Sequence, residues 1–97
     1  MYYKTHAACR VAAALLADPE DQHWYGARLI EATGLRSGTL YPILARMAAA
    51  GWLDGSRWES TDPRSLERPA RHYYTVTAAG REALAALQEM GVHLDRI

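Results

Sequence analysis

The sequence predicts a mainly α-helical fold with one small β-hairpin. Apolar residues recur at helical spacing in several segments, and two short segments rich in aromatic and β-branched residues flank a proline-containing stretch. Glycines and prolines fall between the periodic segments, where a chain turns. With 97 residues, of which 49% are hydrophobic, the chain is large enough for one core and too small for two.

Composition restricts the class of protein further. No apolar run approaches the roughly 18 residues that a membrane helix needs, and the N-terminus lacks a signal-peptide layout. The single cysteine, Cys9, cannot form an internal disulfide, which agrees with a reducing compartment. We therefore expect a cytoplasmic protein that makes no membrane contact. The formal net charge is +0, so any nucleic-acid binding must depend on how charge is distributed.

Two helices are predicted before residue 34. The first runs from His6 to Ala17 with Thr5 as its N-cap, and Pro19 ends it because proline disfavours α geometry in the preceding residue. The second runs from about Tyr25 to Ala32, and the chain turns at Gly34. The apolar sides of these helices hold Ala8, Val11, Ala12, Leu15 and Leu16 in the first, then Leu29 and Ile30 in the second.

The third helix is predicted to have one apolar side and one small, polar side. Ser37 is its expected N-cap and Gly51 its expected C-terminal stop. Pro42 requires either that the first turn opens slightly or that the helix starts nearer Thr39. The apolar stripe is Leu40, Ile43, Leu44 and Met47, and the opposite face is Ser37, Gly38, Thr39, Ala45 and Arg46.

Charge is distributed unevenly along the chain. The stretch from Ala32 to Leu53 contains no acid and two arginines, Arg36 and Arg46. A helix that packs on one side and is small, polar and basic on the other suits the major groove of DNA. The segment from Arg57 to His72 adds four arginines, diluted by three acidic residues.

The remainder of the chain predicts a hairpin followed by a helix. Its strands are Trp52–Trp58, with an irregularity at Asp54-Gly55, and Arg71–Val76. The segment 59–70 between them holds two prolines and is expected to be a long loop. Thr77 is predicted to cap the last helix, which Gly91 weakens by about 1 kcal/mol relative to alanine and could end early. Its coiled-coil-like seam is Ala83, Leu87, Met90, Leu94 and Ile97.

These elements, in this order, predict a winged helix-turn-helix over residues 1–76 and a C-terminal dimerisation helix over residues 77–97 that packs on the first helix. Four motifs make the pattern more specific: YG at 25–26, TGLxSGTLYPxL at 33–44, GWL at 51–53 and RxYYxVTxxG at 71–80. Together they resemble the PadR family of bacterial transcriptional regulators, over about Trp24 to Leu87. The resemblance implies a homodimeric repressor, with the last helix in the dimer interface. Because the chain stops after one helix, we expect it in the short-tailed subgroup.

The residue pattern and the resemblance together identify candidate DNA contacts. Arg46 is expected to bind a phosphate or a guanine edge, and the wing arginines are expected to bind phosphate or the minor groove. Two alternatives stay open. The Tyr41 ring packs in the core or its hydroxyl meets phosphate, and Arg71 contacts DNA or pairs with a wing carboxylate. The full set of candidates is Tyr25, Ser37, Gly38, Thr39, Tyr41, Pro42, Arg46, Arg64, Arg68 and Arg71.

A symmetric homodimer on an inverted-repeat operator is the expected assembly, because two half-sites supply the contacts that a lone small domain lacks. Its predicted interface is Val11, Leu15, Leu16, Ala83, Leu84, Leu87, Met90 and Leu94. A cleft lined by four of these residues, Val11, Leu15, Leu84 and Leu87, could admit a small aromatic effector. The alternative is a fully packed interface, which the many alanines of the first helix favour.

Other chemistry finds little support in the sequence. The four histidines, His6, His23, His72 and His93, have no metal-site spacing, and no catalytic constellation or glycine-rich phosphate loop is present. We expect no enzyme activity and no cofactor. The aromatic residues Trp24, Trp52, Trp58, Tyr73 and Tyr74 are expected to pack between the sheet and the helices. A winged helix used only for protein interaction is the alternative function, which the zero net charge supports and the acid-free third helix disfavours.

Overall fold

The computed structural model describes residues 6–58 and 71–95, with side chains for 6–58 and 71–89. The helices are α1 (His6–Ala17), α2 (Gly26–Thr33), α3 (Ser37–Ala49) and α4 (Ala78–Asp95). The strands are β1 (Trp24–Tyr25), β2 (Leu53–Trp58) and β3 (His72–Val76). The mainly helical prediction is confirmed, and each predicted helix agrees with the structure to within about one residue at the ends that it describes. Thr5, Ile97 and the segment 59–70 lie outside the described residues.

One apolar core joins the four helices and the sheet. The predicted α3 stripe is confirmed, since Leu40, Leu44 and Met47 are fully buried and Ile43 packs against them half-buried. α1 lies along α4, and its Leu15 belongs to the same core cluster as Leu84. Burying a leucine side chain contributes about 1.5–3 kcal/mol. This stripe therefore fixes which face of α3 remains exposed.

The start of α3 differs from the prediction. Arg36 occupies the N-cap position in extended geometry and makes no side-chain capping bond, and Ser37 is the first helical residue. The Arg36 carbonyl already accepts hydrogen bonds from the amides of Thr39 (3.0 Å) and Leu40 (2.9 Å), so helical bonding begins one residue before Ser37 could cap it. The assignment of Ser37 as the cap is wrong. Pro42 lies inside the helix, which is continuous from Ser37.

The end of α3 is a Schellman motif, as the glycine at position 51 predicts. Gly51 has a positive φ of 82°, a conformation that a side chain disfavours. Its amide bonds to the Ala48 carbonyl (3.0 Å), and the Trp52 amide bonds to the Met47 carbonyl (2.9 Å). These two bonds satisfy carbonyls at the helix end and direct the chain into β2.

Thr77 caps α4, as predicted. Its Oγ1 accepts a hydrogen bond from the Gly80 amide (2.9 Å) and donates to the Gly51 carbonyl (2.6 Å). The first turn of α4 is thereby tied to the turn that ends α3. Gly91 does not end α4, which continues to Asp95.

The sheet has three antiparallel strands in the order β1-β3-β2, where a two-stranded hairpin was predicted. β1 pairs Trp24 with Tyr74 and Tyr25 with Tyr73. A two-residue strand is too short to leave an alternating pattern, so the sequence gives no sign of it. The predicted irregularity in β2 is confirmed, because the register with β3 shifts between Asp54 and Arg57.

The predicted packing of the aromatic residues between the sheet and the helices is confirmed for Trp24, Trp52 and Tyr74. It is wrong for Trp58 and for Tyr73, which lies on the face of the sheet opposite to the buried Tyr74. Trp24 and Tyr74 are buried, and Trp52 and Tyr73 are half-buried. Trp58 is 59% exposed and stacks on the His72 ring, with centroids 4.1 Å apart. It lies at the end of β2, an edge strand with one neighbouring strand, and this position leaves most of its surface uncovered.

Candidate nucleic-acid interface

The turn between α2 and α3 sets the direction of α3. Gly34 adopts a positive φ of 74° and its amide bonds to the Ile30 carbonyl at 2.8 Å. The buried Thr33 hydroxyl donates to the Leu29 carbonyl (2.6 Å) and accepts from the Leu35 amide (3.2 Å). The polar groups of this turn are thus paired within it, and the two helices leave it at a defined angle.

The exposed face of α3 is the one that the sequence singles out. Its 13 residues make a helix about 20 Å long. The exposed residues are small, hydroxylated or cationic: Ser37, Gly38, Thr39, Tyr41, Pro42, Ala45 and Arg46. Arg46 lies in the last turn, where a cation is favoured by the helix dipole. The structure brings these candidates together on one surface of α3.

Tyr41 is the member of this surface with the most specific packing. It is 47% exposed, and a Cβ built on Gly26 would lie 2.1 Å from the Tyr41 hydroxyl oxygen. The tyrosine therefore rests directly on the start of α2, where a side chain at position 26 would displace its ring. Burial raises the pKa of the neighbouring Tyr74 hydroxyl, with a smaller contribution from Tyr41. Tyr41 therefore combines the packing that one sequence interpretation expects with the exposure that the other requires.

Tyr25 and Arg71 are distant in sequence and adjacent in the structure. Tyr25 occupies the N-cap position of α2 without a side-chain capping bond. The Arg71 guanidinium carbon lies 4.4 Å from the centroid of the Tyr25 ring, a cation–π contact. The other two wing candidates, Arg64 and Arg68, lie outside the described residues, as do the carboxylates with which Arg71 could pair.

Sequence reasoning missed a second cationic residue beside this pair. Arg57 stands opposite Tyr73 in the sheet, with its guanidinium carbon 5.1 Å from the ring centroid. Its Nη1 donates to Gln22 Oε1 at 3.3 Å. Tyr73 also makes edge-on contacts with Tyr25 (6.0 Å) and His23 (5.7 Å). The sequence signal for this group is the two-residue spacing of Arg71 and Tyr73 in the predicted strand Arg71–Val76, which places them on a common face and carries no information on Arg57.

Part of the acidic stretch near residue 20 is engaged by arginines. Asp21 accepts a hydrogen bond from Arg28 at 2.7 Å and another from the His23 amide at 2.8 Å. The bond from Arg28 lowers the pKa of the Asp21 carboxyl. Arg28 also lies over the Trp24 ring, 4.0 Å from its centroid. Glu20 approaches Arg81 at 3.9 Å.

The predicted dimer-interface residues divide into two groups. Leu16 and Ala83 are half-buried, whereas the four residues assigned to an effector cleft are buried in the core of the single chain: Val11, Leu15, Leu84 and Leu87. Their side chains pack within one chain and line no open cleft between α1 and α4. The side chains of Met90 and Leu94 lie outside the described set.

The described part of the chain lacks both a membrane-spanning helix and a metal-binding group of side chains. No helix among them is long and apolar enough to cross a membrane. Within 6–58 and 71–95, no three His, Cys, Asp or Glu side chains are grouped in a way that would hold a metal ion.

Comparison with solved structures gives matches over nearly the whole chain. A PadR-like transcription factor from Bacteroides fragilis is 25% identical, with 90% of this chain and 82% of that chain covered and a TM-score of 0.58. A PadR family transcription regulator from Clostridium difficile R20291 is 18% identical, with 95% and 93% covered and a TM-score of 0.64. The circadian clock associated protein Pex from Anabaena is 18% identical, with 93% and 77% covered and a TM-score of 0.66.

The last two structures, each 18% identical to this chain, support the fold alone. The family is shown by a sequence profile. No curated protein sequence matches the chain significantly. The profile of the transcriptional regulator PadR-like family matches residues 18–86, a span that contains all four motifs and well over half of the chain. With its helix-turn-helix and three-stranded sheet, the chain belongs to the PadR-like family of transcriptional regulators.

Proposed function

We propose that the chain is a homodimeric repressor that binds an inverted-repeat operator, with α3 in the major groove of each half-site. The observation that carries the proposal is the exposed face of α3. It is small, hydroxylated and basic, and no acid occurs between Ala32 and Leu53. Membership of a transcriptional-regulator family supports the same function.

The chemistry of this face suits a DNA duplex. Ser37 and Thr39 carry hydroxyls in the first turn of α3, where amide groups are also available to phosphate oxygens. Arg46 has a planar guanidinium that can donate two hydrogen bonds to O6 and N7 of guanine. The buried stripe on the other side holds α3 rigidly against the core, so these groups are presented in a fixed arrangement.

The alternative is a winged helix that binds another protein, and the net charge of +0 is the observation that favours it. The two functions differ in salt dependence. Release of counterions makes DNA affinity fall steeply as salt rises, whereas a protein interface of mixed polarity responds weakly. Fluorescence anisotropy on a duplex selected from a random library, repeated over a salt series, separates the two.

Arg46→Ala is expected to weaken binding to the selected duplex by about 1–3 kcal/mol, because the change removes a base contact. Binding to an unrelated duplex should change far less. Arg81→Ala is the matched control, since Arg81 is an exposed arginine on α4 whose guanidinium already lies 3.9 Å from Glu20. Equal affinities for Arg46→Ala, Arg81→Ala and the native chain would show that α3 is not the reading surface.

The dimer is expected to form along one flank of α4, where Ala83 is half-buried. A charge at Leu87 would be a poor test, because Leu87 is 4% exposed and its replacement would unfold the chain. Ala83→Arg should instead place a large cation in the interface and leave the core intact. Analytical ultracentrifugation at micromolar concentration should show a native dimer and an Ala83→Arg monomer.

Ala85→Arg provides the control for this experiment. Ala85 is exposed and lies about 200° around the helix from Ala83, on the opposite side. It should sediment like the native chain. A native chain that sediments as a monomer, or a dimer that survives Ala83→Arg and dissociates with Ala85→Arg, would contradict the proposed interface.

A further inference from the structure

The outer face of the sheet, opposite to the buried Trp24 and Tyr74, carries a row of aromatic and cationic residues. Tyr25, Tyr73 and Arg57 stand side by side on β1, β3 and β2, as the strand register places them. Arg71 adds a second cation, over the Tyr25 ring. We call these four residues the outer sheet face. With strands about 4.8 Å apart, the row spans roughly 10 Å.

The cations of the outer sheet face are held in place by rings. Each guanidinium lies over a tyrosine, at 5.1 Å for Arg57 and 4.4 Å for Arg71. Stacking of this kind orients the planar guanidinium of Arg57 and leaves its edge able to donate hydrogen bonds. Arg57 is exposed, and one of its five N–H groups reaches Gln22, a neutral partner.

Arg57 differs from the nearby arginines because their partners are acidic residues. Arg28 bonds to Asp21 at 2.7 Å, and Arg81 lies 3.9 Å from Glu20. The contacts that Arg57 makes within the described part of the chain are to Gln22 and Tyr73, and neither carries a negative charge. Arg57 thus makes no ion pair within the described part of the chain, although Glu20, Asp21 and Asp54 line the same surface cavity.

The outer sheet face adjoins the exposed face of α3. Tyr25 directly precedes Gly26, and Gly26 is the residue on which the Tyr41 hydroxyl rests. A surface thus runs from Arg57 through Tyr73 and Tyr25 to Tyr41. In the proposed complex, a duplex that lies against α3 would bring its phosphodiester backbone close to this surface.

We propose that Arg57 and Tyr73 bind the phosphodiester backbone of the duplex that α3 reads, outside the groove that α3 enters. This inference rests on the proposed DNA binding. Phosphate oxygens accept hydrogen bonds from guanidinium and phenol groups, and such contacts fix position without reading sequence. An acidic protein is a less suitable partner, because the outer sheet face is continuous with the acid-free surface of α3.

The test is Arg57→Gln, measured by fluorescence anisotropy on the selected duplex and on an unrelated duplex over a salt series. Loss of one phosphate contact should lower the slope of log affinity against log salt by about one. Affinity for both duplexes should fall by roughly the same factor, on the order of fivefold at 0.1 M salt. Tyr73→Phe, which keeps the ring and removes the hydroxyl, should show a smaller loss on both.

Arg81→Gln is the matched control and should bind both duplexes like the native chain. Circular dichroism melts of each variant establish that the fold is retained. Shortening the selected duplex at its flanks should weaken the native chain and leave Arg57→Gln almost unchanged, because the contact is then already lost.

Three results would overturn the inference, and they differ in what else they affect. If Arg57→Gln binds like the native chain while Arg46→Ala is weakened, the outer sheet face is not a DNA contact and the proposed function stands. If the native chain binds no duplex, both proposals fail. If Arg57→Gln loses binding to polyglutamate and keeps its DNA affinity, the outer sheet face serves an acidic polypeptide.

Discussion

Replacing Leu84 by alanine is expected to lower the free energy of unfolding by about 3–5 kcal/mol. Leu84 is fully buried in the core cluster that also holds Val11 and Leu15 of α1, so the shorter side chain leaves a cavity that rigid helices cannot close. Urea denaturation followed by circular dichroism measures the loss. The variant should remain in the native oligomeric state as long as it is folded, because the contact lies within one chain.

Leu16→Ala is the matched control for this prediction. Leu16 lies on α1 and is half-buried, so its truncation removes less buried surface and should cost about 1 kcal/mol. A Leu84→Ala variant that is as stable as the native chain and dissociates into folded monomers would show that Leu84 belongs to a subunit interface.

The elements that the sequence predicts well are those fixed by local rules. The α3 stripe follows from helical periodicity, and its three leucine and methionine positions are fully buried. Gly51 ends α3 with a positive φ, and Thr77 caps α4 with a side-chain oxygen that accepts a hydrogen bond from a backbone amide. These features depend on neighbours within a few residues, so a single sequence contains them.

The differences arise where distant parts of the chain decide the outcome. β1 exists because β3 offers a free edge to Trp24 and Tyr25. Four residues of α1 and α4 were predicted to line a cleft at a dimer interface, and all four are buried in the core of the single chain. Periodicity shows that a helix face is apolar and does not tell which helix covers it.

The candidate site divides in the same way. The exposed face of α3 could be predicted because burial of one side of a helix exposes the other. The position of Arg57 could not be predicted, since its partner Gln22 is 35 positions away and the irregularity in β2 decides which residue faces Tyr73. The DNA contacts themselves stay predictions for both surfaces.

The connection between α4 and α3 joins the dimer proposal to DNA binding. The Thr77 amide bonds to the Trp52 carbonyl (3.1 Å), and the Thr77 hydroxyl bonds to the Gly51 carbonyl (2.6 Å). Gly51 and Trp52 also close the Schellman motif that ends α3. Any movement of the first turn of α4 is therefore transmitted directly to the end of the helix that we place in the groove.

Gly80→Ala tests this junction and is expected to cost about 3 kcal/mol of folding stability. A Cβ at position 80 would lie 2.0 Å from the Trp52 carbonyl oxygen and 2.8 Å from its carbon. These are backbone atoms, which cannot swing aside as the end of a side chain does. The first turn of α4 must move, and the bonds from Thr77 to the α3 turn are strained or lost. Thermal denaturation should show the destabilisation, and anisotropy should show weaker DNA binding.

Gly38→Ala is the control that separates this clash from the general effect of replacing a helical glycine. Gly38 has nothing within 4 Å of its built Cβ. An alanine there should raise stability by up to about 1 kcal/mol, because it reduces the freedom of the unfolded chain. The two substitutions should thus change the melting temperature in opposite directions. If Gly80→Ala instead melts at or above the native temperature, the first turn of α4 is not held against Trp52. The link from the dimer helix to α3 would then have to run through the core alone.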